Sequence, residues 1–177
     1  MTACGGAFCN DATVAMIVTG AGESFALLCV RFDDSWRLEL LPNRLLADVE
    51  ALSTAVRGQS DGTPAFVLAN IGDDFFVAFR RLGNEDLLLL SDITAAEVDD
   101  LARQACDRLD IDIPTDEDDD VRPAGDLDIF EDLGLPAGEL SAILADIDAY
   151  ADEQLQTIAR ELGFDEQFDE LVDVQVR

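Results

Sequence analysis

Three apolar runs separated by very short polar turns constrain this chain most. Ala65 to Ile71, Phe75 to Leu82 (FFVAFRRL) and Leu87 to Leu90 are separated only by Gly72-Asp73-Asp74 and Gly83-Asn84-Glu85-Asp86. Gaps that short permit antiparallel hairpins and exclude parallel crossovers, which need a dozen or more residues. Upstream, Ser24 to Phe32 (SFALLCVRF) and the alternating Trp36 to Leu41 (WRLELL) flank the turn Asp33-Asp34-Ser35. They read as another hairpin, with Arg37 and Glu39 on the wet face, ended by Pro42-Asn43. Between the hairpins Leu45, Leu46, Val49, Leu52 and Val56 keep helical spacing up to Gly58. After them Ser91 or Asp92 can cap a helix of Ala95 to Leu109, with Val98, Leu101, Ala102, Ala105 and Leu109 inward. The order β-β-α-β-β-β-α predicts an α+β domain: an antiparallel sheet of about five strands with helices on one side.

An acidic linker and a helical segment follow. Asp110 to Pro123 (DIDIPTDEDDDVRP) holds seven acids in its first eleven residues. Such a run repels itself and stays extended, either as a solvated linker or as a contact for a basic partner. As a calcium loop, Asp116, Asp118 and Asp120 take the first ligand positions. Val121 then stands where glycine is required and Leu127 where a bidentate Glu belongs, so the pattern fails. Beyond it Leu140, Ile143, Leu144 and Ile147 share one helical face, and Leu155, Ile158, Ala159 and Leu162 share a second. Pro136 suits a first turn, Asp152 can accept from orphan amides, and Gly163 suits a left-handed helix end with Phe164 folding back. A shorter segment (Leu127, Phe130, Leu133) precedes the pair, ending at Gly134, and another (Phe168, Leu171, Val172) closes it. The apolar stripe either covers a core or leaves part of itself as a docking face. The expected organisation is an N-terminal extension over 1–22, an α+β domain over 23–109, the acidic linker over 110–124 and an acidic helical segment over 125–177. Within the extension, Ala15 to Val18 could pair as a short strand.

Charge narrows the partners. The chain carries 39 acids against 11 bases, with no His, for a net charge of −28. Residues 1–109 contribute −9 and residues 110–177 contribute −19. Nucleic-acid affinity comes largely from Lys and Arg displacing counterions, so direct RNA or DNA binding is not expected, nor is binding to an anionic membrane. A basic protein surface is the natural complement. The candidate contact residues are Asp116, Glu117, Asp118, Asp119 and Asp120.

Catalytic motifs are missing. Without Lys there is no phosphate-cradling G-x-x-x-x-G-K-[ST], and without His no Ser–His or Cys–His pair. Cys4, Cys9, Cys29 and Cys106 form no C-x-x-C, so no zinc spacing appears. They read as reduced thiols, with a Cys4–Cys9 disulfide or a shared metal as the alternatives. Arg80-Arg81 beside Phe75, Phe76 and Phe79 reads as half core and half salt-bridge partner rather than a nucleic-acid platform. No cofactor or metal is expected. No run approaches the roughly 20 apolar residues of a membrane span, and the N-terminus lacks signal-peptide character, so a cytoplasmic location is expected.

From about Phe25 to the end, roughly 85% of the chain by its length, the sequence resembles the actinobacterial tRNA adenosine deaminase-associated proteins. The resemblance lies in FALLCVRFDDSWRLELLP, in DDFFVAFRR with LLLLSDITAA, in RQACDRLDIDIPTDEDDD, and above all in PAGDLDIFEDLGLPAGELSAILADIDAYADEQLQTIARELGF. It implies an association, through gene neighbourhood, with the enzyme that converts adenosine to inosine in a tRNA anticodon. It does not imply deamination by this chain. That reaction needs a zinc held by His/Cys/Cys or three Cys and a Glu proton shuttle in an H-x-E…P-C-x-x-C arrangement, and neither His nor P-C-x-x-C is present. The expectation is a non-catalytic acidic accessory protein, with tRNA adenosine deaminase or another basic protein as partner. Two alternatives stand beside it: a dimerising module with only a genomic association, and a carboxylate- or metal-dependent enzyme.

Overall fold

The computed structural model describes residues 23–59, 62–113 and 120–175. The expected extension over 1–22, with its strand at Ala15 to Val18, lies outside them, as do Cys4 and Cys9. Six strands form one antiparallel sheet: β1 (Phe25–Phe32), β2 (Ser35–Leu41), β3 (Ala65–Ile71), β4 (Phe75–Leu82), β5 (Glu85–Leu90) and the two-residue β6 (Ala124–Gly125). Their spatial order is β2-β1-β3-β4-β5-β6, so β2 forms one edge. The first five strands stand where the sequence places them, except that Ser35, Glu85 and Asp86, expected in turns, open β2 and β5. Left-handed residues make the turns tight: Asp33 (φ 51°), Gly72 with Asp73 (φ 59° and 62°) and Gly83 (φ 62°).

Strands alternate their side chains between two faces. On one face Ala26, Leu28, Val67, Val77 and Phe79 pack against α1 (Val49–Arg57) and α2 (Asp100–Leu109). On the other, Leu27, Phe66, Leu68, Phe76 and Leu89 pack against the C-terminal segment, which contains α3 (Ala137–Leu144), α4 (Ala151–Leu162) and α5 (Asp165–Gln175). Most of β1, β3 and β4 is therefore buried on both sides, which is why those strands read as continuous apolar runs. Strand β2 alternates because one of its faces is wet.

Aspartates divide two stretches expected to be single helices. Before α1, Asn43–Ala47 is a 3₁₀ turn, and Asp48 then caps α1 by accepting from the Glu50 amide at 2.8 Å. Likewise Ile93–Glu97 is a 3₁₀ turn capped by Asp92, and Asp99 starts α2 by accepting from the Leu101 and Ala102 amides at 2.8 and 3.1 Å. The extra break puts Val98 outside the helix and 87% exposed, so the expected inward position is corrected. Four charges tie α1 and α2 to β5 across the surface. Arg108 donates to Glu50 and Asp86, both at 2.8 Å, and Arg57 donates to Glu50 at 2.6 Å and to Asp86 at 2.5 Å.

The chain reaches the opposite face through β6. Gly125 (φ 104°) lies so close to β5 that a Cβ there would sit 2.1 Å from the Leu88 carbonyl. Asp126 then bonds Leu88 twice, its amide donating to the carbonyl and its carboxylate accepting from the amide, each at 2.9 Å. From β4, fully buried Arg80 reaches into this segment. It donates to the Ile129 carbonyl at 2.7 Å and grips Asp132 with both terminal guanidinium nitrogens, the Nη2 bond at 2.7 Å. The half-core, half-salt-bridge reading of the Arg80-Arg81 pair holds, since Arg81 is exposed and lies 3.8 Å from Asp86. Gly134 (φ 109°) ends the short segment and Gly163 (φ 82°) ends α4, with Phe164 turned into the core as expected.

Candidate partner-binding surface

Two features of the sequence pointed outward: the acidic run and the α3–α4 stripe. Of the run, Asp116, Glu117, Asp118 and Asp119 lie outside the described residues, and Asp120 is exposed. Both flanks of the run are fixed. The Ile111 amide donates to the Cys106 carbonyl at 3.1 Å, and Ile111 and Ile113 pack onto the α1/α2 face. On the far side the Ile93 amide donates to the Arg122 carbonyl at 2.9 Å.

The stripe behaves differently in its two halves. Leu140, Leu144, Leu155, Ile158, Ala159 and Leu162 are buried against the sheet. Helix α3, however, stops at Leu144, its last turn closed by the Ala145 amide donating to the Ser141 carbonyl at 3.0 Å. The expected fourth stripe residue, Ile147, falls in the connection and is 77% exposed, beside Tyr150 at 68%. Tertiary bonds pin this connection. The Ala151 amide donates to the Asp73 carbonyl of the β3–β4 turn at 3.1 Å, and Gln154 donates to the Asp146 carbonyl at 3.2 Å. Glu153 accepts from the Tyr150 amide at 2.9 Å, and Asp152 accepts from the Glu153 amide at 2.8 Å, as its position predicts.

Beside the connection lies a groove of about 270 Å³, lined by Ala142, Ile143, Asp146, Ala149, Gln154 and Thr157. The surrounding stretch 137–157 contains five acids and no base. Burial raises the Asp152 carboxyl above its ordinary value, and the neighbouring Asp73 adds to the effect. The exposed Ile147 and Tyr150 thus stand beside this groove in a stretch rich in acids, a combination that suits a basic amphipathic partner. Sequence reasoning identified the stripe but not which residue leaves it. The signal was the Asp146 and Asp148 pair, which interrupts the apolar spacing.

Among the described residues no three His, Cys, Asp or Glu side chains are grouped to hold a metal ion. Cys29 and Cys106 are buried free thiols, both pushed up by burial. No helix among the described residues is long and apolar enough to cross a membrane.

Comparison with known proteins identifies a family. Residues 24–165 match the model of the Rv3753c-like tRNA adenosine deaminase-associated protein family. The chain belongs to this family. The match spans the whole sheet and the α3–α4 corner, and stops as α5 begins. Protein Rv3753c of Mycobacterium tuberculosis (strain ATCC 25618 / H37Rv) is 37% identical over 153 residues, covering 85% of this chain and 88% of that protein. No solved structure matches the chain.

Proposed function

We propose that the protein is a non-catalytic accessory subunit of a tRNA adenosine deaminase, which it meets and modulates through its acidic C-terminal surface. The observation that carries this reading is the pair Ile147 and Tyr150, exposed in an acid-rich stretch on a connection that hydrogen bonds hold in place. The family's description supplies the partner. An enzyme that binds tRNA needs a basic face, and a strongly acidic protein is drawn to the same face. Acids at the corner, together with the run Asp116–Asp120, would steer encounter. Ile147 and Tyr150 would provide the desolvated centre that slows dissociation. In this reading tRNA and the accessory protein compete for charge on one enzyme surface. With neither His nor P-C-x-x-C the chain lacks the zinc motif of a deaminase, and its net charge of −28 disfavours contact with phosphate backbones.

The test is titration of the protein into the tRNA adenosine deaminase of its own organism, at about 50 and 300 mM salt, following complex formation and tRNA deamination together. A complex that weakens with salt and alters tRNA turnover is expected. The double variant Ile147→Ala, Tyr150→Ala should bind at least about tenfold more weakly while its stability changes by less than about 0.5 kcal/mol, since both residues are exposed. Absence of any complex at the lower salt would overturn the reading.

A further inference from the structure

Strand β2 forms one edge of the sheet, and among the described residues no strand lies beyond it. Its two-residue turn pairs Phe32 with Ser35, and the Arg31 amide is turned the other way, to the Pro64 carbonyl at 2.9 Å. Antiparallel ladders alternate, so residues 35, 37, 39 and 41 bond β1. The N–H and C=O groups of Trp36, Leu38 and Leu40 therefore point away from the sheet. On the α1/α2 side of this edge stand Arg37 and Glu39, with side chains 71% and 59% exposed. Charged residues ordinarily guard an edge strand against pairing. Here the two guards have opposite signs and lie two residues apart.

We propose that two copies of the chain join edge to edge through β2, antiparallel about a two-fold axis at Leu38. In that register Leu38 faces Leu38 of the second copy, and Trp36 faces Leu40 of the second copy, using the free backbone groups. Arg37 then faces Glu39 of the second copy, and the symmetry repeats the pair. These are the closer, non-hydrogen-bonded positions, where cross-strand charge pairs count most. Sliding by two residues either way puts Arg37 against Arg37 or Glu39 against Glu39. Sliding by one turns the free backbone groups of one copy away from the other. One register thus satisfies both the ladder and the charges.

The global charge does not oppose this contact. Fields beyond about 8 Å are screened at physiological salt, so local charge decides. Residues 31–44, which contain β2 and its flanks, hold Arg31, Arg37 and Arg44 against Asp33, Asp34 and Glu39. This stretch is neutral in a chain of net charge −28. The contact is separate from the α3–α4 corner and does not depend on the partner proposed for it.

Light scattering on the full chain, with analytical ultracentrifugation across concentration, reads the association. Twice the chain mass is expected for the wild type. Arg37→Glu and Glu39→Arg should each weaken self-association by at least about tenfold, because each places like charges together at two symmetric positions. Equimolar mixing of the two variants should restore the dimer, as should the double exchange Arg37→Glu, Glu39→Arg within one chain. Far-ultraviolet circular dichroism checks that each variant is folded. A monomeric wild type overturns the proposal. So does a dimer that neither single variant weakens, or two weakened variants that fail to pair on mixing.

Discussion

The two faces of the sheet are sealed by different physics. On the α1/α2 face, mostly aliphatic side chains with Phe75 and Phe79 fill the core, aspartate caps start both helices, and a network of surface charges joins Arg57 and Arg108 to Glu50 and Asp86. On the C-terminal face aromatic rings fill the core. Phe66 meets Phe130 at 4.9 Å and Trp36 at 5.4 Å, and a buried guanidinium replaces the exposed network. Exposed ion pairs trade one hydrated state for another and hold little. A buried arginine cannot return to water without opening the core, so it fixes the segment that supplies its carboxylate. The contrast shows how a strongly acidic segment is kept on the sheet. Its apolar residues are large, and one of its acids is claimed by Arg80. Most of the other acids on the segment face solvent.

The largest test of this contrast is Phe66→Ala. It should cost about 3–5 kcal/mol in chemical denaturation, because three rings lose their common neighbour. Amide exchange should accelerate more in α4 than in α2. Equal acceleration in both would show that the two faces open as one unit.

Next comes Asp132→Asn, which leaves Arg80 facing a neutral partner. The expected cost is about 2 kcal/mol, below the roughly 3–5 kcal/mol of a fully buried pair because Asp132 is half exposed and water can reach it. Hydrogen bonding to Arg80 holds the Asp132 carboxyl below its ordinary value. A lowered folded-state value means the stabilisation is complete above the ordinary carboxylate range and is lost as the pH falls through the folded value. The gap between wild type and Asp132→Asn should therefore be constant near neutrality and narrow below about pH 4. Glu50→Gln, in the exposed network, should cost less and lose its effect in molar salt. If salt erases both equally, the distinction between the two seals is wrong.

The smallest effect belongs to Asp152. Burial and the nearby Asp73 raise its carboxyl, so its ionised form is disfavoured in the fold. Asp152→Asn should stabilise the protein slightly near neutrality, by no more than about 0.5 kcal/mol given its partial exposure. The advantage should shrink as the pH falls through the raised folded value and vanish below the ordinary one. Stabilisation that persists unchanged at pH 3 would assign the effect to something other than charge.

Much of the architecture was legible in the chain. Turns of two or three residues enforce hairpins, so the pairings β1–β2, β3–β4 and β4–β5 followed from apolar runs and their gaps, whereas the placing of β1 beside β3 did not. The residues of α4 that face inward followed from a local period. Less of the candidate surface was legible. The acids Asp116–Asp120 stand out by composition, which says how a segment is charged and not what it faces. Ile147 carried the correct spacing yet lies outside, because α3 ends before it and the Ala151 amide is bound by Asp73 from the β3–β4 turn. Val98 shows the same on the other face, where Asp99 restarts the helix one residue later.

By itself, then, the sequence determined the local structure: which segments are strands, where hairpins turn, which glycines end helices, and where charge accumulates. These depend on neighbours along the chain. The tertiary structure decided which face the C-terminal helices cover, which acid pairs with Arg80, and which apolar residues stay in water. Those outcomes depend on partners far apart in sequence, from Arg80 with Ile129, 49 positions apart, to Trp36 with Leu162, 126 positions apart. Periodicity carries no information at that range. Only burial of the whole sheet between two layers selects among the alternatives.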